Sequence, residues 1–162
     1  GLLTGGILSG QALIRAAETL HQARSASRFA GITASARLGD WKALVAQKDE
    51  LVASLRQAKY ADLLPQYPDV TYVPGRAHLT PDGAVMVGDA AYRSGKVIIA
   101  TGTSPAAPAI PGLDTVPWLT STTAMELEEL PASLLVIGGG VIGVELGQMF
   151  ARFGVLVTIV CR

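Results

Sequence analysis

Three glycines, Gly138, Gly140 and Gly143, stand at G-x-G-x-x-G spacing in this 162-residue chain. An apolar run at residues 134–137 precedes them, and helix-forming residues and a second apolar run at 155–160 follow. That order predicts strand, tight turn, helix, strand. Each glycine has its own physical reason. Gly138 lets the chain turn sharply, Gly140 lets backbone approach a pyrophosphate, and Gly143 lets the helix pack closely on the strand. The helix N-terminus would then present free N–H groups and a partial positive charge to the phosphates. The implied chemistry is dinucleotide binding; the alternative is a tight βαβ turn that binds nothing. NAD binders place Asp or Glu at the end of the second strand, roughly 20 residues past the glycines, for the ribose 2′-hydroxyl. Here Cys161 and Arg162 occupy that place. A guanidinium suits a 2′-phosphate, so NADPH is favoured over NADH, the alternative being a merely solvated Arg162.

The rest of the chain must position this loop. Lys plus Arg and Asp plus Glu number 13 each, which gives no charge signature for nucleic acid or an acidic membrane surface. With 49% apolar and 16% charged residues, the composition is that of a buried core. One cysteine excludes a disulfide framework within the chain and any C-x-x-C chemistry. His21 and His78 stand far apart without metal-ligand spacing and read as surface or cap residues. The opening GLLTGGILSG resembles neither a signal peptide nor a spanning helix, so the expected compartment is the cytoplasm.

Residues 12–26 read as a helix. Asp40 is a plausible N-cap for a second, long helix reaching about Leu64. Its stripe runs through Trp41, Leu44, Val45, Lys48, Leu51, Val52, Leu55, Ala58 and Asp62, apolar apart from Lys48 and Asp62, with Trp41 as core filler. Pro65 and Pro68 stop it. Short β-prone pieces at 70–73, 78–79, 85–87 and 91–92, separated by Pro74-Gly75 and Pro81-Asp82-Gly83, suggest an antiparallel meander. Residues 96–100 read as a buried strand, and Pro105, Pro108 and Pro111 as an interdomain crossover rather than a polyproline ligand. Residues 125–130 read as a short helix. No internal repeat is present.

ALIRAAETLHQAR, VAQKDELVASLRQAKYADLL, VTYVPGRAHL, VIIATGTSPAAPAIPGL and LTSTTAMELEELP, followed by the glycine unit, together resemble the pyridine nucleotide–disulfide oxidoreductases. Within that group the likeness is closest to the mercuric reductase branch, and it covers residues 12–162. It implies an α/β fold: the helices and β-meander of an FAD domain plus the first βαβ unit of a nicotinamide-dinucleotide domain. The implied boundaries are 1–112 for the partial FAD domain, 113–133 for a connector and 134–162 for the partial NADPH unit. Ala77 would meet the adenine end of FAD through its backbone, and Ala100, Thr101 and Gly102 would lie against the FAD. Gly138, Gly140, Val141, Ile142 and Gly143 would cradle the NADPH pyrophosphate, with Arg162 at its ribose. Glu145 would be the catalytic carboxylate near flavin and nicotinamide. Val141 stands where several relatives carry a tyrosine covering the flavin. The implied activity is reduction of Hg(II) to Hg(0) by NADPH through FAD and a cysteine pair, in relatives that are homodimers.

The sequence departs from that pattern. Where the resemblance calls for a cysteine pair and a lysine, the chain reads GLLTGGILSGQ, without cysteine and with Gln11 in the lysine's place. Glu145 thus loses its implied partner. The first dinucleotide fold, the rest of the NADPH sheet and the dimerisation domain are not in this sequence, so the chain alone is expected to be marginally stable, to hold FAD weakly or not at all, and not to reduce mercury. Cys161 is expected to be buried and inert rather than a substitute for the pair. Two other readings remain: a disulfide oxidoreductase of the dihydrolipoamide dehydrogenase type, and a non-catalytic nucleotide-binding module.

Overall fold

The computed structural model describes residues 6–161. Its framework is a stack of layers built from the two ends of the chain. Helix α1 (Gly6–Ser25) packs against α2 (Trp41–Arg56) on one side and against α4 (Val141–Arg152) on another. Helix α4 in turn lies on a two-stranded parallel sheet of β4 (Ser133–Ile137) and β5 (Leu156–Val160), paired from Ser133↔Leu156 to Ile137↔Val160. The strand–helix–strand order read from the glycine spacing is therefore present.

One apolar core serves all the helices. Leu13 and Ala17 of α1, Trp41 of α2, Ala124 and Met125, and Met149, Phe150, Phe153 and Val155 at the end of α4 are buried together. Trp41 is the centrepiece, as its place on the helical stripe predicts. Its ring meets Phe153 edge-on at 5.4 Å and Phe150 at 6.3 Å, and its indole N–H donates to Leu127 O at 2.8 Å. Burying an aromatic of this size contributes about 2–3 kcal/mol.

Lys48 lies on the same stripe and is 4% exposed. Its Nζ donates to Met125 O at 3.3 Å and sits 2.8 Å from Asp49 Oδ1, which keeps the buried ammonium paired.

The meander is β1 (Ala77–Leu79), β2 (Val85–Val87) and β3 (Ala90–Tyr92), antiparallel in sequence order. Thr80 closes its first turn: the Thr80 N–H donates to Ala84 O, and the Ala84 N–H donates to Thr80 Oγ1. The Thr80 hydroxyl, and after it Arg93, hold the Asp82 carboxyl below the usual carboxylate range.

Four expectations need correction. Helix α2 ends at Arg56 and passes into a π-helical turn, Gln57–Ala61, instead of continuing to about residue 64. The Asp62 N–H donates back to Gln57 O, and Gln57 Nε2 donates to Asp62 Oδ1, both five residues apart, just before Pro65 removes a donor. Residues 70–73 form no strand and are bracketed by Pro68 and Pro74; Val70 and Tyr72 are exposed. The segment 96–100 is neither a strand nor buried, Ile98 being 90% exposed. So apolar a segment needs neighbours on both faces, and the described residues provide none. The short helix is α3 (Ser121–Ala124), not residues 125–130. A Thr120–Thr123 capping box starts it early, and the carbonyls of Met125 and Leu127 are taken by Lys48 and Trp41.

Candidate functional site

The glycine loop joins β4 to α4. Gly138 sits at φ +114°, a conformation that disfavours any side chain, and its N–H donates to Val160 O at 2.8 Å. That bond ties the start of the loop to the end of β5. A Cβ on Gly143 would lie 2.3 Å from Gly138 O and 3.3 Å from Val136 Cγ1, so only glycine lets α4 start this close to the strand. Gly140 is the N-cap, extended, with no side chain capping the helix and nothing within 4 Å of where its own Cβ would be. The first intrahelical donor is the Val144 N–H, which reaches Gly140 O at 3.0 Å. Helix geometry leaves the earlier N–H groups, those of Val141, Ile142 and Gly143, without intrahelical partners. No acidic residue lies in that first turn. Open space at Gly140, uncapped N–H groups and no competing carboxylate fit an anionic group such as a pyrophosphate.

Two features of this junction carry no weight in the G-x-G-x-x-G reading. Gly147 also packs against the sheet, since a Cβ there would meet Ile159 Cδ1 at 3.2 Å. The four-residue spacing from Gly143 is the sequence signal for it, because it puts both on one helix face. Gly139, the middle glycine, faces Cys161: its Cβ would come within 2.9 Å of Cys161 Cβ. Cys161 is exposed, which corrects the expectation of burial. Strand β5 ends at Val160, and residue 161 emerges beside the loop rather than under a helix. Arg24 is another residue without a sequence signal. Its Nη1 donates to Arg152 O at 2.9 Å and its Nε to Ala36 O at 3.0 Å, so it caps the C-terminus of α4.

The structure gathers Gly138, Gly140, Val141, Ile142 and Gly143 into one loop–helix junction, with Val141 and Ile142 exposed. Glu145 lies one turn further along α4, exposed, and joins none of the ion pairs among the described residues. Gln11 is exposed on α1. Ala77 opens β1 beside a hollow of about 600 Å³ lined by residues 74–78, Val87 and Gly88. Ala100, Thr101 and Gly102 lie on exposed irregular chain. Arg162 falls outside the described residues. His21 and His78 are both exposed, as expected. Among the described residues no cluster of three or more His, Cys, Asp or Glu could hold a metal ion, and no helix is long and apolar enough to cross a membrane.

Parallel strands joined through a glycine turn and a helix place the chain in the α/β class. The family model for pyridine nucleotide-disulphide oxidoreductases matches residues 2–162, and the chain belongs to that family. It is 45% identical over 163 residues to a mercuric reductase of Streptomyces lividans, covering 97% of this chain and 34% of the relative. A mercuric reductase of Staphylococcus aureus is 41% identical over 157 residues, with 97% and 28% covered. The chain thus spans about a third of the length of these relatives. Among solved structures, the HOCl-induced flavoprotein disulfide reductase RclA from Escherichia coli superposes with a TM-score of 0.75 at 29% identity, covering 97% of this chain and 32% of that one. The family implies FAD and a nicotinamide cofactor.

Proposed function

We propose that this chain serves a flavin-dependent NADPH oxidoreductase whose electron acceptor is Hg(II). The observation that carries the reading is the glycine junction, where an uncapped helix N-terminus meets open space at Gly140. Residues 134–162 take the nicotinamide dinucleotide, with Gly138, Gly140, Val141, Ile142 and Gly143 around its pyrophosphate and Arg162 at its 2′-phosphate. Residues 1–112 serve the flavin, Ala77 through its backbone and Ala100, Thr101 and Gly102 along the cofactor, and residues 113–133 connect the two. Bound FAD supplies the means of passing two electrons from NADPH to the acceptor. The choice of mercury rests on the likeness to mercuric reductases, and soft thiolates suit that ion. The family context favours a cytoplasmic protein acting as a homodimer. Glu145, exposed on α4, is the candidate catalytic carboxylate.

One observation favours a second reading. The chain has a single cysteine, so it contains no cysteine pair for thiol chemistry, which suits a nucleotide-binding module without catalysis. The likeness to a disulfide reductase makes a disulfide the competing acceptor. The deciding experiment uses the protein expressed from its complete natural reading frame. Bound flavin, NADPH-dependent loss of Hg(II) and at least about ten-fold tighter binding of NADPH than NADH are expected, about 1.4 kcal/mol for the 2′-phosphate. Arg162→Ala should erase that preference. Flavin reduction without Hg(II) loss would shift the acceptor to a disulfide, and nucleotide binding without flavin would leave only the non-catalytic module.

A further inference from the structure

We infer that Gly139 and Cys161 act as a positioning pair, in which the absence of a side chain at 139 lets the end of β5 close onto the glycine loop. The inference rests on the proposal that this loop binds a nicotinamide dinucleotide. A Cβ at 139 would lie 2.9 Å from Cys161 Cβ and 3.3 Å from Cys161 Sγ. The first contact decides the matter. A sulfur could rotate away, but a Cβ is fixed to its own backbone, so the strand end itself must move.

The strand end is also held to the loop from the other side. The Gly138 N–H donates to Val160 O at 2.8 Å, one residue before Cys161 and one before Gly139. Pushing residue 161 outward therefore pulls on the bond that fixes Gly138, and with it the start of the phosphate-facing turn. The next residue in the chain is Arg162, the group proposed for the 2′-phosphate. Gly139 thus acts through Cys161. It sets the distance between the phosphate end of the site, at Gly140, and the end of β5. The thiol's own reactivity plays no part. What matters is that residue 161 is small enough to sit on the loop and that residue 139 carries nothing.

This role differs from that of Gly143, whose Cβ would strike backbone within the loop, and from Gly140, whose Cβ would meet no protein atom. It predicts a specific reversal. Gly139→Ala introduces the clash, and Cys161→Gly removes the atom it strikes.

The test is a double-mutant cycle in the protein expressed from its complete natural reading frame, titrated with NADP⁺ and with NAD⁺ by calorimetry. Gly139→Ala is expected to weaken the preferred nucleotide about ten-fold, the worth of one displaced hydrogen bond to a charged group. Cys161→Gly alone should change affinity by less than about three-fold, and the double variant should return to within about three-fold of the natural protein. No loss in Gly139→Ala overturns the pair. So does a loss that persists in the double variant, which would mean that the new methyl obstructs the pyrophosphate directly. If Gly139→Ala does not accumulate as folded protein, recovery of folded protein in the double variant supports the pair and its failure overturns it. A natural protein that binds neither nucleotide overturns the dinucleotide reading and the pair with it. That result is distinct from failure of the pair alone, which leaves natural binding intact.

Discussion

A glycine is informative when the space around it says why nothing larger stands there, and the glycines of the loop give different answers. At Gly143 and Gly147 the space is filled by protein, so a methyl group there is a packing fault. At Gly140 the space is open and the backbone, at φ −72°, is one that any residue adopts. Folding places no demand for glycine at 140. Gly140→Ala should therefore change thermal stability by no more than about 0.5 kcal/mol, as a substitution on an open surface does. The same methyl would stand where a pyrophosphate must approach, and NADPH affinity should fall at least about ten-fold, one hydrogen-bonded phosphate contact. Denaturation melts set beside nucleotide titrations on the one variant decide the point. A drop in stability without loss of binding would make Gly140 a structural residue and take the pyrophosphate away from it.

The elements show which sequence signals survive folding. The stripe beginning at Trp41 marked the packed face of α2 at Trp41, Leu44, Val45 and Lys48, because a 3.6-residue period constrains one face whatever the partner is. Leu51, further along it, is exposed. Trp41→Ala should destabilise the protein by about 3–5 kcal/mol, since it empties the contact with Phe150 and Phe153. Trp41→Phe keeps an aromatic ring but leaves Leu127 O without its donor, and should cost about 1–3 kcal/mol. Urea melts of the two variants measure both, and a Trp41→Phe variant as stable as the natural protein would deny the indole hydrogen bond any part.

The βαβ unit was legible for a comparable reason, its glycines being required by local geometry. Residues 125–130 were misread because their carbonyls serve side chains of α2, distant in sequence, and no local pattern encodes that. Residues 70–73 and 96–100 carry strand composition, yet a strand exists only where a neighbour pairs with it. In the site, the spacing of Gly138, Gly140 and Gly143 was visible. The contact of Gly139 with Cys161 was not, because it joins a turn to a strand end more than 20 residues away.

At the scale of the molecule the apolar surface is unevenly satisfied. Helix α4 covers one face of the β4–β5 sheet, while Leu135, Ile137, Leu156 and Val160 on the other face are each more than half exposed. Ile98 and Ile99 add another bare apolar stretch. Exposed apolar patches of this kind mark surfaces that bury against something, and a two-stranded parallel sheet with open edges is a template for further pairing. The 162-residue polypeptide expressed by itself should therefore self-associate and bind a hydrophobic dye such as ANS, with a concentration-dependent elution volume on size-exclusion chromatography. Replacing Leu135 and Leu156 by Thr removes apolar area from the bare face without touching the side packed on α4. The double variant should shift towards monomer and lose much of the dye signal while the helical circular dichroism stays unchanged. Association that persists undiminished would place the sticky surface elsewhere, with Ile98 and Ile99 next to be replaced. A monomeric, dye-negative natural chain would mean that the bare face of β4–β5 is covered in solution by the chain's own irregular segments.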